Sequence, residues 1–211
     1  MNSGVSSPAV GIIGGGRLGL TIARLALKAG HRVGVASTSS RAELELVLEF
    51  MAPGAIAADA GELGRAAEVT ILTVPLHRYR ELPREALSDR VVVDAMNYWP
   101  EVDGRVADFE SGRTSSEVVQ EFLGSARVVK SLNQIGYGEL ESSARPPGAP
   151  DRLSVAVAGD DAPARGVVAA LVETLGFDAL ELPSLADGRM IQPGAPCFGQ
   201  PLFSRVRRSI G

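Results

Sequence analysis

Gly14, Gly16 and Gly19 carry the most specific chemistry in the chain. They stand as G-x-G-x-x-G within Val10–Gly19 (VGIIGGGRLG), directly after an apolar run and directly before an amphipathic one. Each glycine has a task in that setting. The first permits a tight turn, the second lets backbone approach a pyrophosphate, and the third lets helix pack on strand. A pyrophosphate then sits at the helix N-terminus, where free N–H groups and the helix dipole favour negative charge. The spacing therefore points to a dinucleotide.

The next strand end selects between the two nicotinamide dinucleotides. An NAD site usually places Asp or Glu there, about 20 residues past the glycines, on the ribose 2′-OH. This chain offers Ser37, Thr38, Ser39, Ser40 and Arg41, with no carboxylate before Glu43. Hydroxyls with a guanidinium suit a 2′-phosphate, because arginine gives charge-assisted and bidentate bonds. Arg17, inside the loop, is a second candidate. The expectation is NADP(H) over NAD(H), with one residue of the serine cluster also capping a helix.

Three further segments end apolar runs, where ligands bind in open α/β sheets. They are Thr73-Val74-Pro75, Asp94–Asn97 and Leu132-Asn133-Gln134. Thr73, Asn97 and Asn133 can hydrogen-bond ribose or a nicotinamide amide, or simply cap loops. His77 is the one candidate proton donor, and a surface role fits it equally. Tyr98 and Trp99 can wall a flat substrate or pack. His31 reads as structural and Cys197 as a small core residue without a partner base. Arg205, Arg207 and Arg208 read as a solvated basic tail or as a contact for an acidic substrate tail. No residue is assigned a catalytic role, and no metal site is expected.

These residues need a scaffold of alternating strands and helices. Strands are expected at Ala9–Ile13, His31–Ala36, Ala55–Ala58, Val69–Val74, Arg90–Ala95, Arg127–Leu132, Ser154–Ala158 and Asp178–Leu182. Helices are expected at Arg17–Ala29, Arg41–Met51, His77–Ala86, Ser115–Leu123 and Ala162–Leu175. Gly30 and Gly176 stand where C-terminal cap glycines belong, and Asp160 or Asp161 can start the last helix. The alternation predicts a Rossmann-type, doubly wound α/β fold with a mostly parallel sheet. Residues 1–140 would form the dinucleotide-binding core. Residues 141–211 would add a βαβ extension and a short irregular tail packed on the same domain. Prolines and glycines after Leu185 exclude a long helix there.

Composition narrows the function classes. The 211 residues hold 21 basic and 25 acidic side chains, a net charge of −4, which argues against nucleic acid as a partner. Apolar runs fall short of the roughly 18 residues that a membrane span needs. The leader Met1–Pro8 lacks a signal-peptide pattern. One cysteine excludes an internal disulfide. A soluble cytoplasmic protein acting on a small molecule is the default expectation.

The chain resembles the NADPH-dependent reductases of coenzyme F420, a deazaflavin, from roughly Ala9 to Pro193. The matching pieces are GIIGGGRLG (Gly11–Gly19), ILTVP (Ile71–Pro75), VVVDAMN (Val91–Asn97), KSLN (Lys130–Asn133), VAGDDAPA (Val157–Ala164) and LGFDALELPSLADGR (Leu175–Arg189). The resemblance implies hydride transfer between NADP(H) and a deazaflavin or a flavin such as FMN, and it allows a homodimer. It implies that Gly15, Arg17 and Leu18 wrap the pyrophosphate. It also implies that Ser37, Thr38 and Arg41 take the 2′-phosphate, with Thr73, Val74 and Pro75 along the nicotinamide. The chain departs from the family pattern at Thr38, where an arginine often stands. It departs again in Gln192–Gly211, which is broken by proline and glycine where the family continues as an apolar helix. Two other readings remain open: an NAD(P)-dependent reductase of a small carbonyl or imine, and a non-catalytic NADP-binding module.

Overall fold

Short runs rich in valine and isoleucine become strands here because both faces of the sheet are covered. β1 (Val10–Ile13), β2 (Val33–Ala36), β4 (Val69–Leu72) and β5 (Val91–Asp94) are buried at every position. The computed structural model describes residues 9–202. The leader Met1–Pro8 and the tail arginines Arg205, Arg207 and Arg208 lie outside the described residues.

One eight-stranded sheet runs β3-β2-β1-β4-β5-β6-β7-β8. β3 is Ile56–Ala57, β6 Arg127–Lys130, β7 Ser154–Ala158 and β8 Asp178–Leu182. The first six strands are mutually parallel, β7 joins β6 antiparallel, and β8 is parallel to β7. This is the Rossmann order, and its switch point falls between β1 and β4. Register puts Ala36, Ile13, Leu72, Asp94 and Lys130 in one row across the sheet. The residues that follow them therefore share one edge: Ser37, Gly14, Thr73, Ala95 and Ser131.

Helix α1 (Arg17–Lys28) buries Leu20, Ile22 and Leu25 against β1, and Gly30 follows it at φ 87°. Helix α2 (Arg41–Met51) starts at Ser40, whose hydroxyl accepts from the Glu43 N–H while the Glu43 carboxylate accepts from the Ser40 N–H. Helix α7 (Ala162–Thr174) is capped by Asp161, not Asp160, and Gly176 follows at φ 104°. Helix α5 spans Ser115–Leu123.

The helix expected over His77–Ala86 does not form. A 3₁₀ helix occupies Leu76–Glu81, and Leu82 leaves it in an extended conformation, ψ 143°. Pro83 is the reason. It has no N–H to continue the ladder, and its ring disfavours a helical residue before it. Three short helices went unpredicted: α3 (Ala60–Ala66), α4 (Pro100–Asp103) and α6 (Tyr137–Ser143). After β8 a 3₁₀ helix at Leu185–Ile191 gives way to turns, as the prolines require.

Candidate functional site

The glycine loop is built by collisions that only glycine avoids. Gly14 sits at φ 128°, and a Cβ there would lie 2.4 Å from Thr73 Oγ1. A Cβ on Gly19 would lie 2.0 Å from the Gly14 carbonyl oxygen. Gly16 is different, because no protein atom lies within 4 Å of a Cβ built there. The fold packs the first and third glycines and leaves open the space over the second. Gly16 is the N-cap of α1, no side chain caps it, and no acid stands in the first turn. Uncapped N–H groups beside an open volume fit a pyrophosphate.

A pocket of about 340 Å³ opens from this loop. Gly14, Gly15 and Gly16 line it together with Ser37, Thr38 and Ser39. Val74, Arg78, Glu81 and Pro83, from the segment after β4, line it as well. No carboxylate stands at the end of β2, since Glu43 is held by Ser40 at 2.8–2.9 Å. Arg41 is not on this pocket. Its guanidinium donates to the Ala57 carbonyl at 3.0 Å and lies 3.7 and 3.8 Å from the Glu45 and Glu62 carboxylates. Arg17 is turned elsewhere too, donating to the Tyr137 hydroxyl at 2.7 Å. Among the described residues, the cation that lines the pocket is Arg78, a residue sequence reasoning passed over. Its guanidinium grips the Glu81 carboxylate, which raises the arginine pKa and lowers that of the acid. The turn that presents Arg78 is anchored by the next residue. Tyr79 is buried and donates to Asp108 at 2.7 Å, and burial, then Asp108, pushes its pKa to about 12.

A second cleft of about 840 Å³ adjoins the first, and Gly16, Thr73, Val74 and Pro75 line both. Its walls include Leu18, Met96, Asn97, Trp99, Asn133, Tyr137 and Phe198. Trp99 and Phe198 meet edge to face, with ring centroids 5.4 Å apart. Phe198 belongs to the Pro- and Gly-rich tail, which is tied down by the Gly199 N–H donating to the Gln134 carbonyl at 3.0 Å. The tail thus closes one side of the cleft as an irregular strap rather than a helix. Tyr98 packs instead against Phe109, 5.0 Å between ring centroids.

The expected polar contacts all carry structural bonds. Thr73 Oγ1 donates to the Gly14 carbonyl at 3.0 Å. Asn97 Nδ2 donates to the Asn133 carbonyl, and Asn133 Nδ2 to Asn97 Oδ1, each at 2.9 Å. Asn133 Nδ2 also reaches the Ile191 carbonyl at 2.6 Å, while Asn133 Oδ1 is buried with no hydrogen-bond partner among the described residues. Leu132, just before it, holds a left-handed φ of 61°, a strained state for a branched side chain. Beneath these strand ends lies an ion pair with both side chains 0% exposed, Lys130 Nζ and Asp94 Oδ2 at 3.6 Å. Lys130 Nζ also donates to the Met96 carbonyl. Asp94 accepts from the Met96 N–H at 2.9 Å and the Ser116 hydroxyl at 2.7 Å. Burial pulls the Lys130 pKa down against the opposing pull of Asp94.

His77 is exposed and lines neither cavity. Among the described residues, the ionisable side chains lining the larger cleft are Tyr137 and Glu139. Tyr137 escaped the sequence reading because its helix did.

Residues 9–98 match the sequence model of the coenzyme F420-dependent NADP oxidoreductases. Among solved structures, a hypothetical protein from Sinorhizobium meliloti is 27% identical. Its TM-score is 0.80, covering 93% of this chain and 95% of that one. A protein from Arthrobacter sp. FB24, provisionally named an F420-dependent NADP-reductase, is 24% identical at TM-score 0.71, with 86% and 87% covered. An imine reductase from Pseudomonas sp. is 17% identical at TM-score 0.60, with 84% of this chain and 57% of that one covered, a likeness of fold alone. No curated protein matches the sequence.

Proposed function

We propose that this chain is an NADP(H)-dependent oxidoreductase that passes hydride between the nicotinamide and a deazaflavin or flavin ring. The observation that carries the reading is the junction of the two cavities. A nucleotide-sized arm and an aromatic-walled arm meet at Gly16 and Thr73–Pro75. The matched family supports the same activity.

The nicotinamide and the acceptor ring supply the reactivity when bound, so the protein's share is orientation and exclusion of water. In this reading the α1 N-terminus and Gly14–Gly16 hold the pyrophosphate. Ser37, Thr38 and Ser39 face the 2′-phosphate, and Arg78 supplies the positive charge first expected of Arg41. Thr73, Val74 and Pro75 flank the nicotinamide, and Trp99, Tyr137 and Phe198 enclose the acceptor. A carbonyl or imine reductase is the second reading. The Tyr137 hydroxyl favours it, standing on the cleft in reach of Arg17, because such substrates need a proton as hydride arrives.

Titration calorimetry tests the nucleotide assignment. NADPH should bind at least about tenfold more tightly than NADH. Arg78→Ala should weaken NADPH by about 1.5–3 kcal/mol, the scale of a charged hydrogen bond. Arg41→Ala should change it by no more than about 0.5 kcal/mol, as for a surface side chain with no ligand contact. Equal affinities for the two nucleotides, or a loss at Arg41 and none at Arg78, would overturn it.

A further inference from the structure

The ladder of β5 runs out at Ala95, whose N–H donates to the Leu72 carbonyl at 3.1 Å. One residue further on, the buried ion pair takes over. The Met96 N–H donates to Asp94 Oδ1 at 2.9 Å, and the Met96 carbonyl accepts from Lys130 Nζ. Both backbone groups of one residue, itself buried, are thus held by the two partners of one pair. The chain is pinned again at the next residue. Asn97 Nδ2 donates to the Asn133 carbonyl and Asn133 Nδ2 to Asn97 Oδ1. The 3₁₀ helix after β8 joins the same node, since Ile191 accepts from Asn133 and a Cβ on Gly188 would lie 3.2 Å from Lys130 Cγ. Met96, Asn97, Trp99 and Asn133 all line the larger cleft.

Stability alone does not account for a lysine and an aspartate that are both fully buried. Apolar residues of similar volume hold such a place as well or better. What apolar residues cannot do is offer a donor and an acceptor to backbone that has left the sheet. We infer that Lys130 and Asp94 are positioning residues: they set the course of Met96–Trp99, and with it one wall of the larger cleft. Their effect on rate rests on the proposed ring-to-ring reaction, in which a reacting ring misplaced by about 1 Å costs up to about a hundredfold. Their effect on the wall itself does not rest on that reading.

Trp99 is the single tryptophan of the chain and 41% exposed, so acrylamide quenching of its fluorescence reads the wall directly. The experiment uses the full chain carrying Lys130→Met and Asp94→Asn together. The two charges leave as a pair, and the Met96 carbonyl loses its lysine donor. The urea midpoint should stay near that of the parent. The quenching constant should nevertheless rise about twofold, near the limit set by the present exposure, as the wall loosens locally. NADPH affinity should stay within about threefold, because the glycine loop and Ser37–Ser39 are untouched. Hydride transfer to saturating riboflavin should slow by about tenfold or more. Parental quenching and a parental rate in this variant would overturn the inference and leave the pair a filler of the core. If the double variant does not fold, Asn97→Ala decides. It cuts the next link at a half-buried position with the ion pair intact, and should raise quenching in the same way. A parental quenching constant in Asn97→Ala would overturn the inference as well. Raised quenching beside a parent that transfers no hydride would overturn the ring-to-ring reading and leave the positioning role standing.

Discussion

Gly16→Val should leave the protein folded and remove its dinucleotide affinity. The new Cβ stands in open space, because beyond its chain neighbours nothing lies within 4 Å of it. The backbone is no obstacle either, since φ is −80° and ψ −174°. Exchanging an N-cap glycine for an apolar residue costs about 1 kcal/mol of helix stability. The isopropyl group would, however, fill the volume over the α1 N-terminus where the pyrophosphate must approach. Affinity for NADPH should fall by about a hundredfold or more, at 1.4 kcal/mol for each factor of ten. Circular dichroism and calorimetry on the same sample check it. A folded variant that binds like the parent would show that the loop holds no pyrophosphate. Gly19→Ala is the contrasting change, because its Cβ would lie 2.0 Å from a backbone oxygen and must disturb the fold.

The second large effect is on stability. Lys130→Met removes one partner of the fully buried pair and strands the Asp94 carboxylate, which keeps only the Met96 N–H and the Ser116 hydroxyl. Breaking such a pair on one side costs about 3–5 kcal/mol, whereas replacing both partners is often close to neutral. Urea unfolding should therefore show a loss of that size for Lys130→Met and recovery of most of it in Lys130→Met/Asp94→Asn. A single-variant loss below about 1 kcal/mol, within the usual range of a surface change, would contradict the assigned pairing.

Legibility followed the strength of the local constraint. The glycine loop was readable because steric rules leave no other residue for Gly14 and Gly19. The strands were readable because runs such as Val91–Val93 are too apolar for an exposed surface. A cap from the serine cluster was expected and Ser40 supplies it, but the box it forms with Glu43, like that of Asp59 with Glu62 at α3, was overlooked. The region after β4 was misread because helical periodicity was followed through Pro83. That misreading hid Arg78, which lines the pocket, while the sequence expectation rested on Arg41, whose guanidinium is bound to Ala57, Glu45 and Glu62. Helix α6 was hidden for a different reason. It is seven residues long, lacks a capping side chain and buries only Leu140. No periodic signal survives in so short an element, and Tyr137 was lost with it. Lys130 carried a signal that went unused: a lysine closing a strand covered on both faces needs a buried partner.

Anaerobic stopped-flow mixing of the NADPH-loaded protein with riboflavin, and in parallel with oxidised coenzyme F420, tests hydride transfer most directly. Loss of NADPH absorbance and bleaching of the acceptor ring should share one rate constant. Tyr137→Phe and His77→Ala should each slow that rate by less than about tenfold, below the 10²–10⁴-fold that a lost general acid or base produces. NADPH that stays bound and unoxidised before both rings would contradict the account. So would a loss of about a hundredfold in Tyr137→Phe with nucleotide affinity intact, which would assign the cleft to a substrate that needs a proton, a carbonyl or an imine.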